Sequence, residues 1–108
     1  MTVEALSLNN NFRVIALPEP QREINGAYIG DLLSWVMGRA EANDAWITIM
    51  SNINVVAVAS LADVSCVILA EGVLLVDEII KAAEEKGINV LKTELPIYET
   101  AKILSELI

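Results

Sequence analysis

Three short apolar runs, each followed by a segment with helical features, dominate the second half of the chain. The runs cover residues 46–50, 66–70 and 88–91, and their nearly continuous hydrophobicity is typical of β-strands covered on both faces. Residues 55–62 and 76–86 and a segment opened by Pro96 are predicted to form helices. Strands and helices in alternation require parallel strands joined by right-handed crossovers. The sequence therefore predicts an α/β layered sandwich with a mainly parallel sheet flanked by helices.

The first half of the chain contributes shorter elements. A short helix is predicted after Thr2 and ends at the three asparagines at positions 9–11, since Asn favours turns over helix interiors. Residues 13–17 and 23–29 are predicted to be extended, with Pro18 and Pro20 between them. We expect side-chain N-caps from Thr2 on this first helix, from Asp31 on a helix over 32–37 and from Asn54 on the helix over 55–62. Gly87 is expected to cap the C-terminus of the helix over 76–86.

Length and composition restrict the class of protein. At 108 residues and 55% apolar content, the chain is expected to form one domain over residues 1–108 and not to be disordered. No apolar run approaches the ~20 residues of a membrane span. A formal net charge of -8 disfavours nucleic-acid and membrane-surface partners. With one cysteine and no leader pattern, a cytoplasmic location is expected.

Several kinds of catalytic site are excluded. The chain has no histidine, so histidine-based catalysis and the commonest transition-metal ligand are absent. Its five glycines never take the spacing of a phosphate-binding or dinucleotide-binding loop. Cys66 is expected to be buried and structural, and most carboxylates fall on exposed helix faces. We expect no bound metal and no cofactor.

A candidate binding site follows from the predicted topology. Ligands of open α/β sheets bind beyond the carboxyl ends of the parallel strands, which here lead into the loops 51–54, 70–72 and 92–94. The candidate ligand-binding residues in these loops are Ser51, Asn52, Asn54, Glu71, Gly72, Lys92 and Thr93. The alternative is that Asn54 and Thr93 only cap helices and that Glu71 and Glu94 are only solvated.

The helices over residues 32–37 and 55–62 both predict self-association, and the sequence does not say which contributes more. Only Ser34 is polar in the first and only Ser60 in the second, whereas a helix that only covers a sheet needs a single apolar stripe. A second apolar face requires a partner, and a two-fold homodimer is the commonest solution. Trp35 and Met37 are the candidate interface residues, because interfaces favour Trp and Met.

Residues 25–38, read Asn-Gly-Ala-Tyr-Ile-Gly-Asp-Leu-Leu-Ser-Trp-Val-Met-Gly, together with 46–49 and 54–59, resemble the DRTGG domain. The resemblance covers nearly the whole chain from Ile24 onward. Members of this family occur alone, beside CBS domains in some family II inorganic pyrophosphatases and within long phosphotransacetylases. The resemblance implies a fold similar to the N-terminal domain of HPr kinase/phosphorylase and a regulatory or ligand-sensing module that commonly self-associates. It does not imply an enzyme.

The motif that names this family is largely replaced. Ser51-Asn52 stands where the Asp-Arg pair is expected, and of the Thr-Gly-Gly segment at positions 70–72 only Gly72 is kept. Without the arginine the site lacks a bidentate donor for an anion, and Glu71 adds negative charge. We therefore expect a neutral or cation-bridged ligand.

The functional hypotheses are ordered accordingly. The first is a non-catalytic regulatory or interaction domain, a homodimer whose partner is a separately encoded enzyme. The second is a module that binds an adenine nucleotide or another small molecule. The third is a small carboxylate-based enzyme. The sequence names no ligand and no pathway.

Overall fold

A computed structural model describes residues 1–108 and contains five helices and five strands. In chain order these are α1 (Val3–Ser7), β1 (Arg13–Ala16), β2 (Gly26–Ile29), α2 (Leu33–Arg39), β3 (Asp44–Thr48), α3 (Asn54–Ala62), β4 (Cys66–Leu69), α4 (Asp77–Lys86), β5 (Val90–Lys92) and α5 (Ile97–Leu107). The strands form one sheet in the order β1-β5-β4-β3-β2.

The sheet is parallel except at one edge. Strands β2, β3, β4 and β5 run parallel and are joined by α2, α3 and α4, whereas β1 pairs antiparallel with β5. Every residue of β3 and β4 is buried, as continuous apolar runs predict. The expected α/β architecture with a mainly parallel sheet is confirmed.

The sheet separates two apolar cores, so the domain has three layers. On one face Trp46, Val67 and Leu69 pack against buried residues of α2, α3 and α4. On the other face Ile47, Ile68 and neighbouring strand residues pack against α1 and α5. Alternate residues of one strand therefore serve different cores, which is why the strands show no polar alternation.

Local capping is partly as predicted. Thr2 caps α1, since its Oγ1 accepts a hydrogen bond from the Ala5 amide at 3.1 Å. Gly87 ends α4 in the left-handed conformation with φ 72°, as glycine at this position commonly does. The caps predicted for α2 and α3 are wrong, because neither helix has a side-chain cap. Asp31 bonds to β3 instead, and Asn54 is itself the first residue of α3.

Element boundaries differ from the prediction by up to three residues. Strand β3 begins at Asp44 and ends at Thr48, where the sequence predicted residues 46–50. Helix α5 buries Thr100 and Leu104, whereas Ile108, just beyond its last residue, is 44% exposed. None of the helices has the length and apolar character needed to cross a membrane.

Candidate functional site at the carboxyl ends of the strands

The loops that follow β4 and β5 are bonded to each other. The Glu71 amide donates to the Leu95 carbonyl at 2.8 Å, and the Gly72 amide donates to the Thr93 carbonyl at 3.0 Å. Glu71 and Gly72 both adopt positive φ, of 63° and 64°. These two loops therefore form one unit, and the amides of residues 71 and 72 already have partners within the chain.

Glu71 has a structural role in this unit. Its carboxylate Oε2 accepts a hydrogen bond from the Ile97 amide at 2.9 Å, in the first turn of α5. A negative charge at this end of a helix is stabilising because unpaired amides and the helix dipole point towards it. The Glu71 side chain is thus engaged at α5 from outside the helix, a contact that the sequence analysis did not foresee.

Gly72 lies against Glu94. A Cβ atom at position 72 would come within 2.9 Å of Glu94 Oε2, so the missing side chain leaves room for this carboxylate. Gly72 was predicted to contact a ligand. In the structure a side chain of the protein occupies this space, while the Glu94 side chain itself remains 83% exposed.

The loop after β3 stands apart from the other two. Asn52 Oδ1 accepts a hydrogen bond from the Asn54 amide at 2.9 Å, which shapes the entry into α3. Asn52 and Asn54 are exposed and Ser51 is half-buried. No hydrogen bond connects residues 51–54 with the loops at 70–72 or 92–95.

Asp31 joins the end of β3 to the turn after β2. Its Oδ1 accepts from the Thr48 hydroxyl at 2.7 Å and from the Ile49 amide at 3.0 Å. Trp46 Nε1 donates to the Gly30 carbonyl at 2.9 Å in the same region. The fully buried Thr48 hydroxyl thereby gains a partner, which a buried polar group requires.

A cavity of about 290 Å³ lies at the same edge of the sheet, between the loop before β1 and the end of β5. Its lining consists of Asn10, Asn11, Phe12, Arg13, Lys92, Thr93 and Glu94. Of the seven predicted ligand-binding residues, only Lys92 and Thr93 line it. The other five, Ser51, Asn52, Asn54, Glu71 and Gly72, line neither this cavity nor the second one.

Asn10, Asn11 and Arg13 were missed by the sequence analysis because they precede a strand rather than follow one. Strand β1 is antiparallel, so its first residue lies beside the last residue of β5, and Arg13 pairs directly with Lys92. The sequence offered one local signal, the run of three asparagines, which was interpreted only as the end of a helix. Nothing local to β1 indicated its direction.

The second cavity, of about 340 Å³, adjoins the first along α5. It is lined by Asn11, Leu95, Glu99, Lys102, Ile103 and Glu106. Asn11 belongs to both linings, so the two cavities are neighbours. Acidic and basic side chains are mixed in the second cavity, and four of its six lining residues belong to α5.

The first cavity carries more positive than negative charge. Lys92 Nζ lies 3.9 Å from Glu94 Oε2, and the Lys92 side chain is only 16% exposed. Arg13 is exposed and takes part in none of the three ion pairs of the chain. Two cations therefore share this cavity with one carboxylate, in a chain whose net charge is -8.

Other chemical groups lie away from this edge. Cys66 is fully buried at the start of β4, and burial raises the pKa of its thiol to about 12, against a smaller opposing effect of the Arg22 charge. No cluster of three or more acidic or cysteine side chains is placed to hold a metal ion.

The predicted interface residues are on the outer surface of α2. Trp35 is 52% exposed and Met37 is 47% exposed, while Val36 is the one fully buried residue of this helix. The Arg39 guanidinium stacks on the Trp35 ring, 3.7 Å from its centroid. This helix thus presents apolar side chains on its outer face.

Comparisons with known proteins identify the family. A solved structure of the CBS and DRTGG domains of the regulatory region of Clostridium perfringens pyrophosphatase, complexed with its activator diadenosine tetraphosphate, matches with a TM-score of 0.66 and 22% identity. The match covers 94% of this chain and 46% of that one, so this chain spans about half its length. A comparison with curated proteins finds no match. The family model of the DRTGG domain matches residues 20–107, and the protein belongs to the DRTGG domain family.

Proposed function

We propose that this protein is a non-catalytic regulatory domain that senses a small ligand at the carboxyl ends of its parallel strands. Membership of the DRTGG family is the observation that carries the proposal. The similar clostridial domain belongs to a regulatory region that was solved with an activating dinucleotide. A domain of this kind acts by changing its binding to a partner, here a separately encoded enzyme.

An adenine nucleotide is the ligand class that we propose to test first. The proposed contacts are Ser51, Asn52, Asn54, Lys92 and Thr93, on the loops that end the parallel strands. Gly72 is left out because its amide already bonds the Thr93 carbonyl and Glu94 fills the space beside it. Glu71 and Glu94 lie beside these donors, and the chain carries a net charge of -8. A polyphosphate therefore binds best together with a divalent cation, which offsets the repulsion between anions.

NMR titration with AMP, ATP and diadenosine polyphosphates, with and without magnesium, tests this ligand class. Saturable shifts of amides in the loops 51–54, 70–72 and 92–94 are expected, and magnesium should strengthen the effect of the polyphosphates. A nucleoside without phosphate serves as the matched control for the phosphate contribution. No shift at millimolar nucleotide, or shifts confined to the opposite edge of the sheet, would contradict it.

Self-association through α2 is part of the same proposal. Trp35 and Met37 are half-exposed apolar side chains on one short helix, and exposed patches of this type commonly mark interfaces. Light scattering at micromolar concentration should give about twice the chain mass of 11.7 kDa. Trp35→Ala should weaken the dimer, whereas Tyr98→Ala on α5, where Tyr98 is 72% exposed, should not. A monomeric wild type would contradict this part.

A further inference from the structure

We infer that the cavity between the loop before β1 and the end of β5 binds the oxyanion group of a small metabolite, a phosphate or a carboxylate. Arg13 and Lys92 are the residues that hold this group, and Glu94 competes with it. The inference deepens the proposed function. It rests on that function in one respect, namely that the ligand binds at this edge of the sheet. It adds residues 10–13, which lie outside the range matched by the family model, to Lys92 and Glu94, which lie inside it.

The two cations occupy directly opposed positions. Arg13 and Lys92 are cross-strand partners in the antiparallel pair of β1 and β5. Like charges placed opposite each other destabilise a sheet. The chain has only seven lysines and arginines against fifteen acids, and two of these cations repel each other at one register position unless an anion lies between them. An oxyanion removes the repulsion and accepts hydrogen bonds from both side chains.

The remaining polar groups of the cavity are mostly donors with free capacity. The Asn10 side chain makes no hydrogen bond within the chain, and Asn11 Nδ2 donates only to Asn9 Oδ1, at 3.0 Å. The Thr93 hydroxyl accepts from the Leu95 amide at 3.2 Å, while no acceptor of the protein receives its proton. Thr93 is 3% exposed, and a buried hydroxyl usually uses its donor as well.

Glu94 is the internal competitor for this site. Its carboxylate lies 3.9 Å from Lys92 Nζ, too far for a hydrogen bond, and in the space that Gly72 leaves open. A carboxylate and a bound oxyanion would repel each other in one cavity. Because the Glu94 side chain is 83% exposed, it can turn into solvent when the ligand binds.

The size of the cavity restricts the ligand. Its volume of about 290 Å³ is at the lower end of the range for metabolite sites, roughly 300–1,000 Å³. A bare inorganic anion fills only part of this volume. Six of the seven lining residues are polar, so the rest of the ligand should be polar as well. A short, polar phosphomonoester or a dicarboxylate fits this volume and this lining.

Titration with three probes tests the inference and separates the two sources of the oxyanion. Inorganic phosphate, glycerol 3-phosphate and malonate are added in low-salt buffer, and binding is followed by NMR. Saturable shifts at residues 10–13 and 92–94 are expected with at least one probe, and they should weaken as ionic strength rises. Preference for glycerol 3-phosphate identifies a phosphomonoester site, and preference for malonate identifies a carboxylate site.

Arg13→Gln removes one cation and should weaken the preferred probe about tenfold, since a charge-assisted hydrogen bond is lost. Lys81→Gln makes the same change of charge on the exposed side of α4 and is the matched control, with unchanged affinity expected. If both variants weakened probe binding equally, the net charge of the protein alone would explain the effect, and the inference would be overturned. The absence of any shift with all three probes at millimolar concentration would overturn it as well.

Glu94→Gln removes the competing charge and should tighten binding about threefold. Glu84→Gln, on the exposed side of α4, is its matched control. Unchanged or weaker binding by Glu94→Gln would overturn the role given to this carboxylate. Nucleotide shifts at residues 51–54 without oxyanion binding would leave the proposed function standing and refute this inference. Oxyanion binding without nucleotide shifts would support the inference and refute the proposal that the ligand is a nucleotide.

Discussion

The polar side chains at the amino ends of the parallel strands and those at the carboxyl ends have opposite roles, and these two ends are called the amino edge and the carboxyl edge below. At the amino ends of the parallel strands, Asn89 donates to the Glu19 and Ser65 carbonyls at 2.7 and 2.9 Å and accepts from the Glu19 amide at 2.9 Å. Arg22 donates to Asn43 Oδ1 and to the Asp63 carbonyl. Every one of these groups holds another part of the same chain.

The carboxyl edge contains a different mixture. Asp31 and Glu71 are engaged with the protein, but Asn10 and the Arg13 guanidinium make no hydrogen bond within it, and Lys92 has one distant carboxylate. Both edges are polar, so polarity alone does not distinguish them. The difference is whether each donor already has an acceptor, since satisfied buried groups stabilise a fold whereas unused donors are available to a ligand.

Asn89→Ala should have the largest effect on stability. Asn89 is 1% exposed, and its removal takes away the hydrogen-bond partner of the Glu19 amide and of the Ser65 carbonyl. The Glu19 carbonyl would keep only the Arg22 amide, at 3.3 Å. Chemical denaturation should show a loss of about 3 kcal/mol. Asn10→Ala, at the other edge, should cost less than about 0.5 kcal/mol. Similar losses for the two variants would remove the contrast between the edges.

Asp31→Ala should cost about 2 kcal/mol, because the buried Thr48 hydroxyl and the Ile49 amide both lose their acceptor. The prediction sharpens the comparison, since it places a structural residue at the carboxyl edge. Asp77→Ala, an exposed acid in the first turn of α4, is the control, with a loss of about 0.5 kcal/mol. Full additivity of Asp31→Ala with Thr48→Val would show that their hydrogen bond contributes nothing.

Cys66, at the amino end of β4, predicts sensitivity to alkali. Its folded-state pKa of about 12 lies above the ordinary value of 9.0. Below pH 9 the thiol keeps its proton in both the folded and the unfolded chain, so the free energy of unfolding is not reduced by its ionisation. As pH rises from 9 to 12, the unfolded chain releases the proton first, so stability falls by at most about 1.4 kcal/mol per pH unit.

Cys66→Ala is the control for this pH dependence, because it removes the thiol and keeps the other titrating groups. Denaturation curves from pH 8 to pH 11 should fall less steeply for the variant than for the wild type. In the native state DTNB should label Cys66 slowly, and in denaturant quickly. Equal slopes, or rapid labelling of the native protein, would show that the thiol is accessible.

The sequence was sufficient for features that depend on local pattern. Continuous apolar runs predicted β3, β4 and β5, and Thr2 and Gly87 predicted the ends of their helices, because each signal lies within one element. The caps assigned to Asp31 and Asn54 were wrong for a physical reason. Thr48 and the Ile49 amide, distant in sequence, take the Asp31 oxygen, and the Asn52 side chain bonds the Asn54 amide.

The candidate site was less predictable than the fold. The rule that ligands bind at the carboxyl ends of strands led to Lys92 and Thr93, which line the cavity. The same rule cannot reach Arg13, since it applies to parallel strands and β1 is antiparallel. The direction of an edge strand depends on contacts between opposite ends of the chain, which no local window of sequence contains.

Arg13→Gln should have the smallest effect on stability, and its sign differs from that of the other variants. In low salt without an anion it should stabilise the protein by about 0.3 kcal/mol, because repulsion from the cross-strand Lys92 is removed. High salt should abolish this gain through screening. With saturating oxyanion the wild type should become more stable than Arg13→Gln, since a ligand that binds the folded wild type more tightly stabilises it more. If Arg13→Gln instead lost stability in low salt, Arg13 would be a residue that stabilises the fold, as Arg22 does, and the prediction would be wrong.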